Sequence, residues 1–160
     1  MKNLAMALTV IAGAAVAAPM DPVLDAGGSW HGVGIQTGEI HWPLEVTLSA
    51  DTSAIRYPSF GCEGAWVPLN VTDRGLIAIE RIDIGLDTCS NGGVVRVSVL
   101  DEDRLSYVWF DAAGEPAAKA ILVPGPFREE LYDALLEMTV SGLDMGFLER
   151  QNAVEEAPEL

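Results

Sequence analysis

Short runs of alternating apolar and polar residues occupy the chain from residue 30 to residue 123. In the clearest run, Leu44, Val46 and Leu48 would lie on one face of a strand. The intervening Glu45 and Thr47 would lie on the other face, so one side of the strand is buried. Such runs recur between turns rich in Gly, Asn and Asp, which is typical of antiparallel sheets. The predicted strands are Trp30–Gln36, Trp42–Ser49, Ala54–Tyr57, Ala65–Val71, Leu76–Ile82, Val94–Leu100, Arg104–Phe110 and Ala117–Val123.

The predicted strands need a common core, because a sheet with one apolar face must cover that face. The same alternation assigns further side chains to the core: Val67, Leu69 and Val71; Val95, Val97 and Val99; Leu105, Tyr107 and Trp109. Strands joined in sequence by short hairpins favour a meander that closes on itself. We therefore predict an all-β, mainly antiparallel fold, a small barrel or barrel-like sandwich followed by a C-terminal α-helix.

The apolar spacing changes to a helical period after Pro126. One stripe of a helix would carry Phe127, Leu131, Leu135 and Met138. We expect a helical segment over residues 125–151 that docks on the barrel wall or across one end. Residues 152–160 read as an acidic, disordered tail.

The N-terminus has the features of a bacterial secretory signal peptide over residues 1–17. Lys2 is followed by a short apolar stretch, and Ala15-Val16-Ala17 suits cleavage after Ala17. A flexible lead-in over residues 18–28 and a β-domain over residues 29–124 would follow. This interpretation predicts a periplasmic or secreted protein, without membrane insertion once the signal is cleaved.

The charge is strongly acidic, with 9 Lys and Arg against 24 Asp and Glu in 160 residues, a net charge of −15. Loss of Lys2 with the signal would leave 8 basic residues and a net charge of −16. Nucleic acid is therefore not an expected partner, because its phosphates are bound by Lys and Arg. The protein or small-molecule ligand is not identified by the sequence.

Cys62 and Cys89 are the two cysteines of the chain. In an oxidising compartment we expect them to form a structural disulfide. A redox role would favour a C-x-x-C spacing, which this pair lacks.

The two histidines do not form a catalytic or metal site in the predicted hairpin of the first two strands. Its register sets His31 opposite Leu44 or Glu45, and His41 opposite Ile35 or Gly34. The two rings would then lie about 10 Å apart, too far to share one metal ion. With no G-x-S-x-G motif either, we predict no catalytic residues, no metal and no cofactor.

Glu80 is the acid with the clearest expected position, because it shares a strand face with Leu76, Ala78 and Ile82. A buried carboxylate needs a partner, and Arg96 and Arg56 are the candidates. The pair would be structural or would anchor a ligand.

Three aromatic residues, Trp30, Trp66 and Tyr57, form a candidate ligand or partner surface. Alternation sets Trp66 opposite Val67, and Trp30 opposite the apolar face of its own strand. Both would be exposed on the barrel, or the C-terminal helix would cover them.

The motif Tyr57-Pro58, Gly61-Cys62, Gly64, Glu80-Arg81-Ile82 and Cys89 resembles a group of small exported bacterial β-domains that contain a disulfide. The resemblance covers Trp30 to Leu122. It implies the Cys62–Cys89 bond and a Glu80 held by a fixed partner, but no activity. Gly28-Ser29-Trp30 also looks like the G-x-W opening of lipocalins, which are eight-stranded barrels with a C-terminal helix. Whether this barrel is hollow or filled stays open at this point.

The leading hypothesis is an exported, non-catalytic β-barrel binding module that uses a surface or barrel-mouth site. One alternative is an acidic periplasmic inhibitor of a cationic hydrolase such as lysozyme, steered by charge. A second is a carboxylate-dependent hydrolase, which requires two acids roughly 5 to 9 Å apart in one cleft.

Overall fold

A computed structural model describes residue 23 and residues 27–36, 40–72 and 75–142 of the chain. Eight antiparallel strands form a closed barrel in chain order, and the last strand pairs with the first. The strands are β1 (Gly28–Gln36), β2 (Ile40–Leu48), β3 (Ser53–Tyr57), β4 (Cys62–Thr72), β5 (Gly75–Ile84), β6 (Val94–Asp101), β7 (Arg104–Phe110) and β8 (Pro116–Pro124). Helix α1 (Tyr132–Gly142) follows, and short 3-10 turns occupy Pro58–Phe60 and Glu129–Leu131.

The predicted fold class is confirmed, including all eight strands, the barrel and the C-terminal helix. The predicted signal peptide (1–17) and acidic tail (152–160) lie outside the described residues. Of the predicted lead-in, the structure describes Val23, Gly27 and Gly28, and Val23 is fully buried in the core.

The core of the barrel is formed by the side chains that alternate inward along the strands. The predicted inward positions are confirmed on β2 and β7, and for Val95 and Val97 on β6. Val99 is 40% exposed near the end of β6, next to a bulge in the pairing with β7.

The prediction for β4 is wrong, because Trp66 is fully buried in the core while Leu69 is 57% exposed. Val67 pairs with Ile79 on the outer face, and Val71 is 43% exposed. A bulge between Pro68 and Asn70 inserts one residue into β4. Because a bulge shifts the facing by one residue, a single alternation cannot describe this strand.

The exposed face predicted for β1 is also wrong. Trp30, Gly32 and Gly34 lie on the inner face, whereas His31 and Val33 are buried on the outer face beneath the α1 segment. The small inner residues leave room for bulky neighbours, since a Cβ on Gly34 would lie 3.0 Å from the Trp42 ring.

Helix α1 is joined to the barrel at the seam between β1 and β8. On either side of a gap in this ladder, Gly32 pairs with Leu122 and Ile35 pairs with Lys119. Within the gap, the buried Thr139 hydroxyl accepts a hydrogen bond from the Ile121 amide at 3.0 Å. It donates to the Val33 carbonyl, also at 3.0 Å. The helix thus completes the hydrogen bonding between the first and last strands.

The two histidines occupy the predicted register, His31 opposite Glu45 and His41 opposite Ile35. Both contact the segment around α1 rather than each other. His31 Nδ1 donates to the Gly125 carbonyl at 2.7 Å, and His41 Nδ1 lies 2.6 Å from the Tyr132 hydroxyl. These contacts fix the connection between β8 and the helix.

The predicted disulfide between Cys62 and Cys89 is present. It ties the start of β4 to the connection between β5 and β6. In the part of the chain that the structure describes, no helix is long and apolar enough to cross a membrane.

Candidate functional site

One end of the barrel opens into a cavity of about 300 Å³. We call this end the mouth; β1, β3, β5 and β7 end there, and β2, β4, β6 and β8 begin there. Five aromatic side chains line the cavity: Trp42, Tyr57, Phe60, Tyr107 and Trp109. Glu80 also lines it and is only 3% exposed.

The aromatic rings of β2 and β3 form one side of the cavity. Trp42 packs edge-on to Tyr57, with ring centroids 6.5 Å apart. Phe60 lies 5.9 Å from Trp42, on the 3-10 turn after β3. Gly61, with a φ of 65°, then turns the chain into β4, a conformation that favours glycine.

The rings of β7 form a second side. Trp66 of β4 stacks on Tyr107 with centroids 5.6 Å apart and planes 15° from parallel. Trp109 lies nearer the mouth and depends on Gly93, because a Cβ on Gly93 would lie 2.1 Å from the indole. A residue larger than glycine at position 93 would displace this wall of the cavity.

Neutral donors hold the Glu80 carboxylate. Its Oε2 accepts hydrogen bonds from the Tyr57 hydroxyl at 2.6 Å and from Trp66 Nε1 at 2.9 Å. The Trp109 side chain contributes a further hydrogen bond. Burial raises the pKa of Glu80 above its ordinary value, and the hydrogen bonds offset part of that rise.

Tyr57 and Tyr107 meet inside the barrel, with their hydroxyl oxygens 3.1 Å apart. Because the Tyr57 hydrogen is donated to Glu80, Tyr107 is the donor in the contact between the two hydroxyls. Burial, followed by the nearby charge, holds the pKa of both tyrosines well above 10. Both therefore act as protonated donors at neutral pH.

The connection between β5 and β6 fixes the Glu80 backbone. The Glu80 amide donates to the Gly93 carbonyl, and the Gly92 amide donates to the Glu80 carbonyl, each at 2.9 Å. Asn91 Oδ1 accepts from the Ile82 amide at 2.9 Å. Cys89 lies in the same connection and lines the cavity, so the disulfide and these bonds fix this side of the mouth.

Glu80 is buried as expected, but its observed partners differ from the predicted arginines. Arg56 lies on the outer wall, 3.2 Å from Glu45 and 3.3 Å from Glu63. The Arg96 guanidinium lies over the Phe110 ring, 5.6 Å from its centroid. The residues before and after each arginine in the sequence face the interior. Strand alternation therefore directs the two guanidinium groups outward.

The three aromatic residues predicted as a ligand or partner surface are buried, with Trp30 and Tyr57 at 5% and Trp66 at 0% exposure. The interpretation of Trp30 and Trp66 as an exposed outer patch is therefore wrong. Tyr57 and Trp66 instead meet at Glu80. Trp30 donates to the Gly27 carbonyl at 2.7 Å, near the opposite end of the barrel. Helix α1 packs outside β1, whereas these rings face inward.

The sequence-based site does not include four of the aromatic residues that line the cavity: Trp42, Phe60, Tyr107 and Trp109. Alternation along the strands predicts that Tyr107 and Trp109 face the interior, and Trp42 shares the alternation of Leu44. That signal identifies interior rings. It does not show that several of them line an open space.

Exposed apolar side chains also gather at the mouth. We call Ile40, Phe60, Ile84 and Leu86 the apolar rim; they are 52%, 38%, 57% and 58% exposed. All four lie at strand ends or in connections at this end of the barrel. Single exposed apolar residues are common, but a group beside a cavity is typical of a binding site.

No family model, curated protein or solved structure gives a match to this chain. The resemblances to exported disulfide-containing β-domains and to lipocalins therefore stay expectations. Among the described residues, no group of three or more His, Cys, Asp or Glu side chains could hold a metal ion. The described site offers a carboxylate, hydroxyl and indole donors, and aromatic faces, which is chemistry suited to holding a small organic molecule.

Proposed function

We propose that this chain is an exported, non-catalytic β-barrel module that binds a small organic ligand at its mouth. The observation that carries the proposal is the aromatic-lined cavity of about 300 Å³ with the Glu80 carboxylate inside it. Small-molecule sites are mostly apolar clefts of about 300–1,000 Å³ with a few placed polar groups. The cavity has the size for a ligand at the small end of that range.

The walls of the cavity support binding without large rearrangement. The disulfide ties β4 to the connection after β5, and the Glu80 backbone is hydrogen-bonded to that same connection. A site whose walls are already fixed loses less conformational entropy when a ligand enters. The apolar rim offers additional contact area to ligand groups that extend out of the barrel.

Export is supported by the disulfide together with the predicted signal peptide. Disulfides persist in the periplasm and outside the cell, whereas cytosolic thiols are usually kept reduced. A periplasmic or secreted location fits both features.

The two alternative functions make different demands. A carboxylate-dependent hydrolase requires a second acid in the cleft, and Glu80 is the one acid in the described lining of this cavity. An acidic inhibitor draws on the net charge of −15 and predicts binding to a basic lysozyme that weakens as salt is added. A lysozyme pull-down at low and high salt therefore separates the inhibitor from the small-molecule binder.

The proposed function is tested by filling the cavity. Ala118 faces inward and lines the cavity, whereas Ala54 of β3 is exposed between the buried Ser53 and Ile55, so A118F blocks the site and A54F is the control on the outer wall. We expect 2-phenylethanol to shift the amide resonances of Ser90 and Trp109 in the wild type and in A54F, but not in A118F. The proposal would be overturned if these resonances still shifted in A118F, or if they did not shift in the wild type.

A further inference from the structure

We propose that the mouth cavity selects organic ammonium cations, with the Glu80 carboxylate as counter-ion and the aromatic rings as walls. The inference rests on the proposed function, since it names the class of ligand for the same cavity. It follows from the charge inside the barrel and from the type of side chain around that charge.

The interior carries a carboxylate whose observed hydrogen-bond partners are neutral. Tyr57, Trp66 and Trp109 donate to Glu80 but bring no positive charge. Strand alternation turns the arginines of β3, β5, β6 and β7 to the outer wall: Arg56, Arg81, Arg96 and Arg104. Burying an ionised carboxylate costs free energy that a nearby cation offsets. A cationic ligand would supply the charge that the described interior does not provide.

The aromatic walls suit an ammonium group rather than a metal ion. A cation within about 6 Å of a ring centroid is attracted to the face of Trp, Tyr or Phe, and quaternary ammonium groups bind in this way. Five such rings line the cavity. Ca²⁺ and Mg²⁺ instead require several oxygen ligands, and the described lining provides one carboxylate.

The cavity also has room for the methyl groups of a quaternary ammonium. It measures about 300 Å³, and its walls are fixed by stacking and by the disulfide connection. The apolar rim at its entrance fits a ligand whose cationic head enters first. The carbon chain of the ligand would then lie against Ile40 and Phe60 at the edge of the cavity.

Binding of a cation should be linked to the proton of Glu80. Among the described residues, the titratable groups that face Glu80 are Tyr57 from β3 and Tyr107 from β7. Strand β4 contributes Trp66, and β6 contributes the apolar Val95. Both tyrosines have a pKa well above 10 and stay neutral. A cation prefers the ionised carboxylate, so its affinity should rise as pH increases through the pKa of Glu80.

The test compares choline with 3,3-dimethylbutan-1-ol, which has the same shape but no charge. Binding to the purified full-length protein is followed by tryptophan fluorescence and by calorimetry. At pH 8 we expect choline to bind at least about tenfold more tightly than the neutral alcohol. E80Q should bring this ratio close to one, whereas E102Q removes the same charge from an exposed turn at the opposite end and should leave the ratio unchanged.

The outcomes separate this inference from the proposed function. Binding of both probes with equal affinity would overturn the ammonium preference and leave a small-molecule site. If neither probe binds, and 2-phenylethanol does not shift the amide resonances at the mouth, both proposals would be overturned. If E80Q fails to fold, the inference is tested by the pH dependence of binding to the wild type. A choline affinity that stays constant across the pH range would overturn the inference. An affinity that increases with pH for choline but not for the neutral alcohol would support it.

Discussion

Glu80 shows what a single buried acid requires when the side chains around it are neutral. The Tyr57 hydroxyl and the Trp66 indole direct their hydrogens at one carboxylate oxygen, and the Trp109 side chain contributes a third bond. These bonds reduce the cost of burial without removing it, since the pKa of Glu80 is still raised. A charged partner would lower that pKa, as Arg104 does for the exposed Asp101.

The burial of Glu80 could be predicted from sequence, but its partners could not. Alternation along β5 correctly places it with Leu76 and Ala78 in the interior. Alternation along β6 also turns Arg96 outward, so the same rule applied to both strands excludes that pair. The true partners come from β3, β4 and β7, and their convergence depends on how the barrel closes.

At the residue scale, we predict a pH dependence of stability specific to Glu80. Because the folded pKa is raised, the native state binds this proton more tightly than the unfolded chain. The contribution of Glu80 to the free energy of unfolding is therefore greatest below its ordinary pKa of 4.5 and falls as pH rises through the folded pKa. Urea unfolding of the wild type and E80Q across this range should show the wild type losing stability relative to E80Q.

Asp101 provides a control of opposite sign. Its hydrogen bond with Arg104 lowers the folded pKa, so its contribution is present above the ordinary value and is lost as pH falls through the folded pKa. The wild type should therefore gain stability relative to D101N as pH rises. The interpretation of Glu80 would be contradicted if the difference in free energy of unfolding between the wild type and E80Q did not change with pH. It would also be contradicted if that difference changed with pH in the same direction as for D101N.

At the element scale, helix α1 connects β1 and β8 where the barrel closes, through the hydrogen bonds of Thr139. The sequence predicts its apolar stripe and its docking on the barrel wall or across one end. The structure shows it on the wall, against β1 and β8, with Leu135 of that stripe buried. The role of Thr139 could not be predicted, because nothing in the helical period reveals an interrupted strand ladder. The helix also explains the error on β1, whose outer face is apolar because α1 covers it.

Removing the Thr139 hydroxyl should leave two buried backbone groups without a partner. The groups are the Ile121 amide and the Val33 carbonyl. We expect T139V to lower the free energy of unfolding by about 1–3 kcal/mol, while T139S retains most of the stability. Urea unfolding measures the loss, and hydrogen exchange should quicken at the Ile121 amide. An equal loss in both variants would show that packing, rather than the hydroxyl, matters at this position.

At the scale of the whole molecule, the order of the strands could be predicted because every connection between neighbouring strands in the sequence is a hairpin or short loop. The disulfide could be predicted as well, since the chain has two cysteines. The cavity could not, because a barrel of this size is filled or open according to the volume of each inward side chain. Here the small side chain of Ala118 lines the cavity together with the five aromatic rings, and these side chains do not fill the mouth.

Loss of the disulfide should destabilise the entire barrel. The bond closes a loop with a sequence separation of 27 residues, which in the chain-entropy model contributes about 3.5 kcal/mol. We expect the C62S/C89S double variant to lose about that amount in urea unfolding. The wild type unfolded with a thiol reductant should show the same loss. A loss below about 1 kcal/mol in both would contradict this account.

The seam between β1 and β8 has a consequence for when this protein can fold. Trp30 pairs with Pro124, and the Thr139 bond to Val33 spans 106 positions of the chain. The ladder that closes the barrel cannot be completed until the chain has been made through Pro124, and the hydrogen bond from the helix requires Thr139 as well. A chain emerging from a ribosome or a translocation channel would therefore keep both edges of its sheet open until β8 had emerged.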